Sequence, residues 1–229
     1  MNKRMASITR GEVGGLVDLV VRSGISVRHD AGESLVRLAG LIHEWNERVN
    51  LVSRKDIARL VSYHFCDAAS LLPIIVPEIS IRVLDVGGSN GLPGLVLAAL
   101  SPNIEVKVCD ARRKRRGFME EACAALGDRA SHMIDRVDSD SFRATYAGHF
   151  DLIVARAVTR LKLLLRWCLP LLRPGGFIAA YKGSRCAEEV RQADTYLWAH
   201  GVDLVMVLGS PFASNCNPLR QFAIVGKSL

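Results

Sequence analysis

From residue 81 onward, short apolar runs alternate with amphipathic segments, a pattern that confines the chain to a parallel sheet covered by helices on both faces. The texture predicts strands at 81–86, 105–109, 130–134, 150–155, 176–181, 204–208 and 221–226, and helices near 91–101, 113–126, 159–172 and 185–200. Ahead of them, apolar residues at 35, 38, 41, 42, 45 and 49 fall on one face of a helix over Glu33–Val49. A second helix is expected over Asp56–Leu72, with Ile57, Leu60, Val61, Phe65, Ala68 and Leu72 turned one way and Asp56 as N-cap. The prolines of "PIIVPEIS" then interrupt. Residues 1–78 therefore read as a helical extension packed on a core domain of 79–229.

Composition narrows the class further. No apolar run approaches the roughly 18 residues a spanning helix needs, and the start of the chain lacks a cleavage-like site, so the protein is expected in the cytoplasm and off the membrane. Six cysteines are scattered without a C-x-x-C pair or a histidine spaced for zinc, so free, mostly buried thiols and no metal are expected. Lysine and arginine number 30 against 23 acids, a net charge of +7, and the excess is clustered in "ARRKRR" at 111–116. Clustered positive charge points to a polyanionic partner.

The stretch "IRVLDVGGSNGLPGLVLAALSP" runs from a strand ending at Asp85 through glycines at 87, 88, 91 and 94 into a helix. Ligands of open α/β sheets collect beyond the carboxyl ends of the strands. Gly87 and Gly91 let the backbone turn tightly and come close to a ligand. A nucleoside triphosphate would want a Lys-Ser/Thr pair after the glycines, and a dinucleotide would want G-x-G-x-x-G; this loop has neither. The remaining candidate is S-adenosylmethionine. Asp85 would act on its cationic amino acid and sulfonium portion, directly or through water, and Asp110, closing the next strand in "EVKVCD", would accept from its ribose hydroxyls. The alternative is that both acids cap the helices that follow them.

The segments "HEWNERVNLVSRKDIARLVSYHFCDAASLLP", "LDVGGSNGLPGLVLA", "DARRKRRGFMEEA" and "FDLIVARAVTRLKLLLRWCLPLLRPGGFIAAYKG" together resemble the bacterial 16S rRNA guanine-N7 methyltransferase family, RsmG or GidB. The resemblance runs in unbroken order from about 41 to 184, and its W-N-x-x-x-N-L and H-F-x-D-x-x-S-L-L pieces lie outside generic methyltransferase motifs. It implies an α/β class I methyltransferase, Rossmann-like, with a mostly parallel seven-stranded sheet, helices on both faces and an N-terminal helical extension. It implies an S-adenosylmethionine-dependent enzyme acting on small-subunit ribosomal RNA, naked or in a ribosomal particle, at a guanosine of the decoding-region loop. A monomer is expected. Carried over by motif, the cofactor would contact Gly87 and Leu92, Val137 and Asp138 in "DRVDS", and Arg156 in "VARAV". Two departures stand out. Gly88 and Ser89 occur in exchanged order relative to the family's D-V-G-S/T-G-x-G, which would weaken cofactor binding, and Asp138 is one methylene shorter than the usual glutamate.

Guanine N7 carries an exposed lone pair, so methylating it requires no general base. Groups that could position the base are donors: Arg156, Lys182, Asn46 and His64. His64 is equally suited to packing between helices, Asn46 to capping a turn, and Trp45 to the core. In the basic run, Arg112, Arg113, Lys114, Arg115 and Arg116 oppose the dipole of the helix they open, and phosphate binding would offset that cost. A solvated basic face is the competing account. A small-molecule methyltransferase of the same fold and a non-catalytic RNA-binding relative remain as alternatives.

Overall fold

The structure, a computed structural model, describes residues 3–75, 78–88 and 90–227, with side chains from residue 9 onward. Among these, seven strands form one sheet: β1 (Ile81–Val86), β2 (Ile104–Cys109), β3 (Ala130–Met133), β4 (Phe150–Arg156), β5 (Leu172–Lys182), β6 (Val202–Gly209) and β7 (Gln221–Lys227). Their order is β3-β2-β1-β4-β5-β7-β6. Strands β1 to β5 run parallel, and β7 is antiparallel to both β5 and β6. The order reverses between β1 and β4, which opens a crevice beyond their carboxyl ends. Helices are α1 (Lys3–Arg22), α2 (Ala31–Asn46), α3 (Cys66–Ala69), α4 (Leu72–Ile75), α5 (Gly94–Leu100), α6 (Arg116–Ala124), α7 (Asp140–Tyr146), α8 (Leu161–Cys168) and α9 (Cys186–Ala199).

Strand side chains alternate in direction, so each strand feeds two cores. On β4, Leu152 and Val154 join α1, α2, α5 and α6 on one side, while Ile153 and Ala155 join α7, α8 and α9 on the other. Val13, Leu16 and Val20 of α1 and Leu35, Leu38 and Ile42 of α2 belong to the same apolar cluster as Leu95 and Val96 of α5. Each such side chain contributes about 1.5–3 kcal/mol by leaving water. The N-terminal helices are thus continuous with one core of the sheet.

All seven expected strands form, with β5 starting four residues earlier, at Leu172. The expected helix over Asp56–Leu72 is not one rod. Ile57–Arg59 is a 3-10 turn, Leu60–Phe65 a π turn, and α3 adds a single α turn. Leu60, Val61 and Phe65 stay buried as their spacing requires, while the widened turn carries His64 and Asp67 to the C-terminal edge of the sheet. Asp56 does not cap through its side chain, because its carboxylate is engaged by Arg59 (2.6 Å) and the Ser53 hydroxyl (2.7 Å). Helices α1 and α7 were not expected. Glycines 11, 14 and 15 break the periodicity of α1, and α7 is only seven residues long, started by Ser139 Oγ accepting from the Phe142 N–H (3.2 Å). Among the described residues, no helix is long and apolar enough to cross a membrane.

Candidate active site: two adjoining clefts

Asp85 lies on the same strand face as Val83, toward α5, and is completely buried. Its Oδ2 accepts the Gly94 N–H (2.7 Å) at the start of α5. A Cβ on Gly88 would collide with this carboxylate, and one on Gly94 would come within 2.8 Å of it, so these two glycines exist to let an acid sit beneath the loop. The capping account describes what Asp85 does within the loop, and it is not among the residues that line either cleft described below. Burial raises its pKa to about 7, against the opposing pull of the Gly94 N–H and Arg156. Its other oxygen, Oδ1, has no hydrogen-bond partner among the described residues.

Above the loop a crevice of about 230 Å³ is walled by Val86 and Gly87 after β1, Cys109 and Asp110 after β2, Asp135 to Asp138 after β3, and Ala157 and Val158 after β4, with Trp167 of α8 closing one side. Gly87 turns with φ +72, and a Cβ there would also come within 2.7 Å of Val158. Ala157 holds φ +57, an uncommon conformation for a residue with a side chain and one that clusters at functional sites. Asp110 is 8% exposed and accepts the Arg112 N–H through Oδ1 (2.7 Å), so it shapes its own turn while facing the crevice. Asp138 accepts from Arg136 (2.8 Å), and that hydrogen bond holds its pKa below the usual carboxylate range.

A second cleft of about 420 Å³ adjoins the first and shares Gly87, Arg112 and Ala157 with it. The helical segment 56–67 forms one wall with Asp56, Arg59, Tyr63, His64 and Asp67. Asp67 is fully buried and gripped by Arg220 through both oxygens (2.7 and 2.9 Å), by Arg156 (3.1 Å) and by Asn217 (3.3 Å). Burial alone would raise its pKa, but the hydrogen bonds and charge of Arg220 and Arg156 outweigh it and keep the carboxyl ionised.

Several expected residues sit elsewhere. Arg156 turns into the second cleft toward Asp67 and does not line the first crevice. Lys182 is buried, bonded to Glu189 (2.7 Å) and the Thr159 carbonyl (2.8 Å), and is not among the residues that line either cleft. Asn46 accepts the Leu51 and Val52 N–H groups (2.8 and 2.9 Å) and so caps a turn. His64 lines the second cleft; burial and the nearby Arg156 push its pKa down to about 4, so it is neutral at pH 7. Leu92 also lines the second cleft, and Gly91 turns the chain against Leu95. Val137 and Asp138 line the first crevice as expected. Ser89 lies outside the described residues, so the exchanged Gly88-Ser89 order has no structural description. In the basic run, Arg112 lies at both clefts, Arg115 donates to the Asn50 carbonyl (2.7 Å), and Arg113, Lys114 and Arg116 are exposed. Trp45 braces this run from below, donating to Glu121 (3.0 Å) and meeting Gly117 so closely that a Cβ there would come within 2.6 Å of its ring.

Asp67, Arg220, Val158 and Trp167 were not anticipated as lining residues. Asp67 stood within the H-F-x-D motif, whereas Arg220 lies in an irregular segment with no pattern to mark it. Among the described residues, no cluster of His, Cys, Asp or Glu is arranged to hold a metal ion.

The strand order and the crevice at the carboxyl ends of β1 to β4 define a Rossmann-like α/β protein with the fold of class I S-adenosylmethionine methyltransferases. Solved structures of that class superpose on the chain. An O-methyltransferase, TomG from Streptomyces achromogenes in complex with S-adenosylmethionine, matches at a TM-score of 0.58 and 16% identity over 92% of this chain and 95% of that one. An O-methyltransferase from Bacillus cereus matches at 0.58 and 16% identity over 84% and 91%. At the level of sequence, the family model "GidB: rRNA small subunit methyltransferase G" matches residues 31–213, and the chain belongs to that family. Proteins named ribosomal RNA small subunit methyltransferase G from Chromohalobacter salexigens and Symbiobacterium thermophilum are 36% and 34% identical to it, over 78% and 75% of this chain and 80% and 72% of theirs.

Proposed function

We propose that this chain transfers the methyl group of S-adenosylmethionine to N7 of a guanosine in the decoding-region loop of 16S ribosomal RNA, acting in the cytoplasm as a monomer. The observation that carries this is the junction of two clefts of different charge balance at Gly87, Arg112 and Ala157: the first has Asp110, Asp135 and Asp138 beside Arg112 and Arg136, and in the second Arg59, Arg112, Arg115, Arg156 and Arg220 outnumber Asp56 and Asp67. In the first, Asp110 would accept from the ribose hydroxyls, and Val137 and Asp138 would border the base. The bare backbone at Gly87 admits a ligand against the loop, and buried Asp85 holds that loop through the hydrogen bond it accepts from the Gly94 N–H. When bound, S-adenosylmethionine supplies an electrophilic methyl on a sulfonium.

The second cleft would receive the guanine. Its wall comes from residues 51–67, so the N-terminal 78 residues would form the substrate-facing extension of a cofactor-binding domain at 79–229. Arg156 and Arg220, fixed by Asp67, present a rigid cationic floor. Because N7 is already a free acceptor, these residues have only to hold it in line, and positioning of this kind contributes up to about 7–11 kcal/mol in favourable cases. Neutral His64 is consistent with a site that needs no charged acid or base. Arg113 and Lys114 would bind phosphates outside the cleft.

Incubation of the protein with methyl-labelled cofactor and unmodified small-subunit ribosomal RNA tests this reading. Label that appears at one guanosine and makes that position sensitive to borohydride and aniline supports N7 transfer. Label on another base or atom would contradict the assignment, and no transfer with intact cofactor binding would favour a non-catalytic relative.

A further inference from the structure

The loop that closes both clefts runs directly into α8, and on its outer side α8 and α9 enclose a groove of about 410 Å³. Arg160, Lys162 and Arg166 line it, with Leu163 beside them and Gln192 and Tyr196 opposite. The three cations are exposed, and none is in an ion pair among the described residues. The acids within reach are already committed: Glu188 binds Arg191 and Gln192, and Glu189 binds Lys182 (2.7 Å) while accepting the Leu161 N–H (2.8 Å). Three exposed cations therefore share one groove with an apolar edge and a half-buried tyrosine, and Glu189, the acid in its lining, is committed to Lys182; the groove presents a net positive face to an anionic ligand.

Its place in the fold links it to the site. α8 is a shared wall, with Trp167 in the cofactor crevice and Arg166, its neighbour in sequence, in the groove. Arg160 follows Ala157 and Val158 of the crevice by three and two residues. The basic run at 112–116 opens α6, which packs on the opposite face of the sheet, so positive charge flanks the clefts on both sides.

We propose that the α8–α9 groove is a second contact for the RNA, taking the sugar-phosphate backbone beside the target nucleotide, with phosphates on Arg160, Lys162 and Arg166 and a ribose or base edge against Leu163 and Tyr196. This rests on the ribosomal RNA reading above. It is tested by titrating small-subunit ribosomal RNA with the full chain and with its Arg160→Ala/Lys162→Ala/Arg166→Ala variant, from about 50 to about 200 mM KCl. Losing three phosphate contacts should lower the slope of log affinity against log salt by about two and weaken low-salt binding tenfold or more. Binding of S-adenosylhomocysteine, followed by calorimetry, should not change. Arg160→Lys/Arg166→Lys should keep the wild-type slope, and Lys162→Glu alone reads the same slope if the triple variant folds poorly. A salt-sensitive wild type with an unaltered triple variant would overturn the groove and leave the functional reading standing. A wild type that does not bind the RNA at all would overturn that reading, and the groove with it.

Discussion

Asp85 is a buried acid whose charged form is disfavoured by loss of water. In the folded chain it holds its proton up to about pH 7, whereas its ordinary value is 3.8, so the native state binds more protons than the unfolded state between those limits. Its contribution to stability is complete below about pH 4 and is lost as pH rises through 7. Urea unfolding should show the wild type losing stability from pH 5 to 8 relative to Asp85→Asn, by at most about 1.4 kcal/mol per unit. Parallel pH profiles would show that the carboxyl ionises normally. Asp67 is the opposite case, a buried acid kept charged by two arginines. Asp67→Asn leaves Arg156 and Arg220 short of their counter-charge and should destabilise by about 3–5 kcal/mol, read as a melting temperature roughly 10 °C lower. Neither pairing was visible beforehand, because Asp67 is 89 residues from Arg156 and 153 from Arg220, and no local pattern connects them. Asp110 was visible, since an acid that ends the second strand of a parallel sheet has few other places to point.

Among the elements, strands were recovered well because both faces are buried: Leu152 and Val154 on one side and Ile153 and Ala155 on the other make a continuous apolar run too short for a helix. Helical segments were less secure. The 56–72 stretch has a helical apolar pattern and packs as expected, yet its π turn cannot be read from spacing, and that turn is what brings His64 and Asp67 to the cleft. The acid before a glycine-rich loop looked like a ligand for cations; its burial under Gly88 and Gly94 shows why those two glycines accompany it, while Gly87 and Gly91 make room for Val158 and Leu95. Helix α7 offers a simple check on cap energetics. Ser139→Ala removes the oxygen that accepts the Phe142 N–H and should cost about 1 kcal/mol in urea unfolding; a loss below the error of that measurement would mean that Phe142 burial alone holds the helix.

At the scale of the whole molecule, the sheet holds two clefts side by side with a division of charge balance between them: acids and arginines are nearly matched in the first, and arginines outnumber acids in the second. The first draws on loops after β1 to β4, and the second adds the N-terminal helical segment and Arg220 from the turn before β7. Such a division lets cofactor and RNA be held by different residues that meet only at Gly87, Arg112 and Ala157. It was foreseen in outline from the acids and the "ARRKRR" run; of the two roles expected for Arg156, cofactor contact and base positioning, its place in the second cleft favours the latter. The measurement that bears most directly on this division is paired titration of two variants, Asp110→Ala and Arg113→Ala/Lys114→Ala, with S-adenosylmethionine by calorimetry and with small-subunit ribosomal RNA at low salt. Asp110→Ala should lose cofactor affinity tenfold or more while binding RNA normally, and the double variant should do the reverse. The opposite pattern, or loss of both ligands in both variants, would contradict it.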